Sequence, residues 1–183
     1  IKIIKINGDE NVTHIFVNHW PSRREGGAKS DPKRIAAAKV LRSKINLIFE
    51  AENEAKILVM GDFNDYPSSK SISKYLKAKS SYSLDQDELY NLSGFLDKED
   101  KGSHSFKGDW NMLDQMMVSK AFLQKKDNSF YVEHKGLRLF DAEWIMYKDH
   151  KYNESYPSKT YGGDRYYGGY SDHLPIYLEL KME

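Results

Sequence analysis

The chain has 183 residues, 39% of them hydrophobic and 13% aromatic, with 28 basic against 27 acidic side chains and a formal net charge of +1. This length and apolar content suit one globular domain, residues 1–183, with a real core. The charge is too balanced to announce a nucleic-acid binder by bulk electrostatics, and the absence of cysteine excludes disulfides, thiolate metal sites and cysteine nucleophiles.

Ile1-Lys2-Ile3-Ile4-Lys5-Ile6 reads as a strand already in progress, which predicts that sequence upstream has been removed. Val12 to Trp20 is β-branched and aromatic and predicts a strand ending at His19 and Trp20, before the turn at Pro21-Ser22. Ser30 or Asp31 then caps a predicted amphipathic helix from Pro32 to about Ala51, with Ala37, Leu41, Ile45 and Ile48 at three- and four-residue spacing. Between Ser22 and Lys44 there are eight basic residues against two acidic ones. The helical lysines among them read as a solvated face, whereas Ser22, Arg23 and Arg24, next to the strand end, are candidates for contacting a phosphate.

Lys56 to Met60 is a short, continuous apolar run, as in a strand buried on both faces, and it delivers Gly61-Asp62-Phe63-Asn64. A second, shorter helix carries Ile72, Tyr75 and Leu76. From Ser103 onward the pattern predicts antiparallel pieces: His104 to Phe106, Trp110 to Ser119, Phe130 to His134 and Leu174 to Leu180. Asp149 to Arg165 reads as a polar loop, followed by a glycine- and tyrosine-rich stretch up to Tyr170. No apolar run is long enough for a membrane-spanning helix and no signal-peptide layout is present, so the chain reads as soluble, with its compartment undefined.

Four segments carry chemistry: Asn18-His19-Trp20, Gly61-Asp62-Phe63-Asn64, Leu113-Asp114-Gln115 and Ser171-Asp172-His173. Hydrolysis of a phosphate ester needs a positioned water, charge compensation on the non-bridging oxygens and help for the departing alkoxide, often from a hard cation with oxygen ligands. Asp62 and Asn64, two apart, project to one side of an extended stretch while Phe63 points into packing. On its own this motif reads first as a turn at a strand end, and as a functional site only in company with the others. His173 needs an orienting carboxylate; Asp172 points away on a strand, which makes Asp114 the candidate. His14, His104, His134 and His150 are assigned to surface or packing roles.

Together, Asn18-His19-Trp20-Pro21-Ser22-Arg23, Gly61-Asp62-Phe63-Asn64-Asp65, Leu113-Asp114 and Ser171-Asp172-His173-Leu174-Pro175 resemble the endonuclease/exonuclease/phosphatase superfamily, which includes DNase I-like enzymes. The resemblance implies a two-sheet α/β sandwich, here the later portion of the domain and incomplete at its N-terminus. It implies Mg²⁺- or Mn²⁺-dependent attack of water on a phosphoester: a small phosphodiester, a phospholipid headgroup or nucleic acid. By that likeness Asp62 orients or deprotonates the water, Asn64 holds the water or a phosphate oxygen, and Asp114 pairs with His173. His173 and His19 face the phosphate, and Asp172 helps to hold the metal. The asparagine and glutamate that the family places on earlier strands have no counterpart before His19. The alternative is a non-catalytic phosphate-binding or interaction module.

Overall fold

The computed structural model describes residues 2–4, 12–24, 26–81, 85–150 and 153–182. Its frame is a mixed sheet in which β1 (Lys2–Ile4), β2 (Thr13–His19), β3 (Lys56–Asp62), β4 (Ala78–Lys79), β5 (Leu89–Asn91) and, beyond two hairpin strands given below, β8 (Asp114–Ser119) pair in the order β1-β2-β3-β8-β5-β4. The β2–β3 pair is parallel and is joined by helix α1 (Gly27–Ala51), whereas β3–β8 is antiparallel. Of the expected N-terminal strand, Lys2 to Ile4 forms β1; Ile1, Lys5 and Ile6 lie outside the described residues.

Period-two alternation divides the sheet residues between two cores. Ile57, Val59 and Met117 face α1, where Ala38, Leu41 and Ile45 complete one cluster with Phe16, Trp20 and Phe63. Leu58, Met116 and Val118 face the opposite way and pack with Phe122, Val132 and Leu137. That second layer is built from short strands: β9 (Phe130–Tyr131) pairs with β16 (Lys181–Met182), and β10 (Leu137–Leu139) pairs with β15 (Ile176–Leu178). The fold is therefore an α/β sandwich with helix on one face and antiparallel strands on the other.

Several elements differ from their expected bounds. α1 starts at Gly27, ahead of the expected cap, so Ser30 and Pro32 lie inside it. The Ser30 hydroxyl bonds to the Gly26 carbonyl and accepts from Arg34 instead of capping the helix. The second helix is one π-helical turn, Ser71–Tyr75. Trp110 to Ser119 falls in two strands: β7 (Asp109–Asn111), which forms an antiparallel hairpin with β6 (His104–Phe106), and β8, with Met112 and Leu113 between them. Asp149 to Arg165 contains paired strands: β11 (Met146–Asp149) with β12 (Glu154–Pro157), and β13 (Tyr161–Gly162) with β14 (Arg165–Tyr166). Backbone pairing stabilises these hairpins although their side chains are mostly exposed, so no apolar alternation announces them. Among the described residues, no helix is long and apolar enough to cross a membrane.

Arg34 is a basic residue of α1 that turns into the protein. Its side chain is 0% exposed and its Nε donates to Asp65 Oδ2 at 2.9 Å. Asp65 also accepts from the Ser71 hydroxyl at 2.6 Å and the Ser69 hydroxyl at 2.9 Å. A buried cation is tolerable only when paired in this way, and the pair fastens α1 to the segment that follows β3.

Candidate active site

The site begins with sheet register. Asn18 lies opposite Gly61, His19 opposite Asp62, and Asp62 opposite Asp114, so three adjacent strand ends bring their polar residues into one row. Gly61 permits this. Its φ is +133°, and a Cβ there would stand 1.9 Å from the Asn18 carbonyl oxygen, a distance no side chain can occupy. The row is locked by Trp20 N–H donating to Asp62 O at 2.9 Å and Phe63 N–H to Leu113 O at 3.0 Å. Phe63 turns inward and meets Trp20 edge to face at 4.9 Å.

Beyond β3 the chain curls back around the Asp62 carboxylate. Asn64 adopts φ +49°, a conformation that asparagine tolerates better than most residues. Its backbone N–H donates to Asp62 Oδ1 at 2.8 Å, and its Nδ2 donates both to Asp62 Oδ2 and to Trp20 O, each at 3.0 Å. Asn64 is thus buried with both amide hydrogens engaged, and in this arrangement it holds Asp62 rather than reaching into open space. His19 Nε2 approaches the same carboxylate at 3.5 Å from an exposed position.

The second half of the site comes from later in the chain. His173 Nδ1 lies 2.5 Å from Asp114 Oδ2, which also accepts the Ser103 hydroxyl at 2.6 Å, while Ser103 Oγ accepts the Asp114 N–H at 3.1 Å. Asp62, Asp114 and His173 each offer a ligand atom within 4.8 Å of the others. Burial alone would lower the His173 pKa, but the Asp114 hydrogen bond and the charges of Asp114, Asp62 and Asp172 outweigh it and hold the imidazole above its ordinary value. Burial raises the Asp62 carboxyl; the Asn64 N–H and the two histidines oppose the rise, and Asp114 adds to it.

His173 is held by a backbone bridge to His104, and Leu174 N–H donates to Ser103 O at 2.7 Å. The packing of His104 is at the site itself: its ring centroid is 4.7 Å from that of His173. The pattern marked His104 to Phe106 as a strand, but the bridge that brings Ser103 and His104 to His173 joins distant residues and leaves no local signal. Asp172 is exposed next to His173. On the other flank, the Arg23 guanidinium sits 4.8 Å from the Tyr66 ring centroid, and the Tyr66 hydroxyl donates to Asn111, the register partner of His104. Ser22 and Arg24 stand exposed on the loop after β2.

The endonuclease/exonuclease/phosphatase family profile matches residues 3–182. The chain belongs to that family. Solved structures similar to it include an endonuclease/exonuclease/phosphatase family protein from Bacteroides thetaiotaomicron, at 15% identity and TM-score 0.50, over 96% of this chain and 52% of the other. A mannosyl-6-phosphatase from the same organism gives 16% identity and TM-score 0.49, over 96% and 53%. The human nocturnin catalytic domain with bound sulfate gives 16% and 0.47, over 97% and 51%. The chain thus spans about half the length of these family structures. No curated protein is similar enough in sequence to count as a match.

Proposed function

We propose that the chain carries the reacting face of a metal-assisted phosphoester hydrolase. The observation that supports this reading is the convergence of Asp62, Asp114 and His173, with His19 beside them, from four separate segments. In this mechanism the oxygen of a water attacks phosphorus and its proton passes to Asp62, whose raised pKa makes it a stronger base than a solvated aspartate. Asn64 fixes the direction of that carboxylate through both of its oxygens. His173, with Nδ1–H held by Asp114, presents Nε2–H to a non-bridging oxygen, where its positive charge stabilises the negative charge that builds up. The P–O bond to the leaving group breaks, and His19, exposed at the rim, supplies the proton that the alkoxide takes up.

The donor set suits a hard divalent cation in kind: Asp62 and Asp114 offer carboxylate oxygens in one group with His173, and Asp172 offers another beside that histidine. Asp172 is the residue proposed to hold Mg²⁺ or Mn²⁺, which when bound supplies charge neutralisation on the phosphate oxygens. Arg23, with Ser22 and Arg24, contacts the rest of the phosphoester from the β2 loop. The near-neutral charge favours a small phosphoester over long nucleic acid, whose binding leans on many basic contacts.

The test is hydrolysis of bis-p-nitrophenyl phosphate and p-nitrophenyl phosphate in Mg²⁺ or Mn²⁺ by the chain and by a version extended upstream. Turnover that His173→Ala removes supports the reading. Phosphate binding without turnover in both forms overturns it in favour of a non-catalytic phosphate-binding module.

A further inference from the structure

His104 has no place in that mechanism, yet it stands directly across from His173. Their backbones form a bridge, their rings are 4.7 Å apart, and His104 Nδ1 is buried with no hydrogen-bond partner among the described residues. Asp172 joins them: one ligand atom from each of His104, Asp172 and His173 lies within 4.8 Å of the others. This is a second ligand set: it shares His173 with the Asp62 and Asp114 cluster at the strand ends, and it draws on Asp172, the residue proposed above for the hard cation. Its chemistry also differs. Two imidazole nitrogens and one carboxylate suit a borderline transition metal far better than Mg²⁺, which prefers oxygen ligands.

The partner on the far side of His173 strengthens the assignment. Metal-binding histidines typically give their other ring N–H to a carboxylate, which fixes the tautomer and raises ligand basicity. His173 does this through Nδ1 to Asp114 Oδ2, and Ser103 holds Asp114 in turn, so Nε2 is the nitrogen left for a metal.

We propose that His104, Asp172 and His173 form a binding site for a transition-metal cation of the Zn²⁺ or Co²⁺ kind, and that filling it inhibits the enzyme by occupying His173 Nε2. Binding is independent of the hydrolase reading; inhibition rests on it. The cation takes a lone pair from each ligand, displacing bound water and any proton on His173 Nε2, and needs no other reactant.

Co²⁺ serves as the probe, because its visible absorption reports nitrogen ligation without any turnover. Titrating the chain with Co²⁺ should give one saturable site with d–d bands, and Zn²⁺ should compete for it. His104→Ala and His104→Phe, the second of which keeps a ring against His173, should each weaken Co²⁺ binding by about 100-fold or more, since loss of even an outer partner costs about 10–100-fold. Circular dichroism identifies which variant retains the fold. Equal Co²⁺ affinity in the wild type and a folded His104 variant would overturn the site. Zn²⁺ should inhibit p-nitrophenyl ester hydrolysis by the wild type and not by the His104 variants; equal inhibition would overturn the inhibitory role. Intact Co²⁺ binding without turnover in any form would instead strike the hydrolase reading and leave the metal site standing.

Discussion

Replacing Arg34 with methionine, which keeps the length of the side chain and removes the guanidinium, tests how α1 holds the site loop. Asp65 is 8% exposed, and its remaining partners at the carboxylate are the Ser69 and Ser71 hydroxyls, which carry no charge. Breaking a buried ion pair from one side costs about 3–5 kcal/mol, because the surviving charge stays desolvated. In a domain of this size each kcal/mol moves Tm by about 2–4 °C, so Arg34→Met should lower it by roughly 6–20 °C. The assay is thermal and urea unfolding followed by circular dichroism, with Asp31→Ala as an internal comparison. Asp31 also pairs with Arg34 but is 55% exposed, so its removal should cost less than about 1 kcal/mol. Pairing Arg34→Met with Asp65→Leu removes the stranded charge and should recover much of the loss, giving a coupling well above about 1 kcal/mol. If Arg34→Met alone costs under about 1 kcal/mol, or the double variant is simply additive, the buried pair is not what ties α1 to the residues after Asp62.

Asp114→Asn should lower the His173 pKa, read from the imidazole proton shifts in an NMR titration, because it removes the hydrogen bond and charge that hold it up. The sign for stability follows. Since the folded value is raised, charged His173 stabilises the fold fully below the unfolded value of about 6.5, and this contribution fades as pH rises through the folded value. Asp114→Asn should flatten that fade, and an unchanged pH profile would exclude the pairing as its source. Gly61→Ala should destabilise by about 3 kcal/mol or more in urea titration: its φ alone costs about 1–3 kcal/mol, and the clash with the Asn18 carbonyl adds to it. Asp97 has a carboxyl raised by burial and by Asp100, so its ionised form opposes folding once pH passes the unfolded value of about 3.9. Asp97→Asn should therefore raise Tm at pH 7 and leave it unchanged near pH 3; a gain at both would point to a cause other than charge.

The sheet was legible where burial imposes a pattern. The apolar run of Lys56 to Met60 announced β3, and the two-residue spacing of Asp62 and Asn64 announced an inward Phe63, because a strand buried on both faces leaves its mark in every residue. Asn64 was half legible: its proximity to Asp62 follows from spacing, but the left-handed turn that commits its amide to Trp20 does not. The burial of Arg34 was not legible, because nothing on its own helix reveals the acidic partner 31 residues on. The hairpins of Asp149 to Arg165 escaped notice for the opposite reason: backbone pairing holds them while their side chains face water. Ser103 and His104 depend on one long-range bridge to His173, and nothing local encodes it.

That bridge is a single rung, whereas Asp62 and Asp114 sit on long ladders in the middle of the sheet. The two halves of the site are thus anchored with unequal strength. Native-state amide exchange registers such inequality directly: the Leu174 N–H, which rests on Ser103 O alone, should exchange before the amides bonded within the β3–β8 ladder. His173 thus reaches the carboxylates from a neighbouring segment tied to them by one bridge, the Leu174 N–H and its own contact with Asp114, whereas the carboxylates are part of the sheet itself.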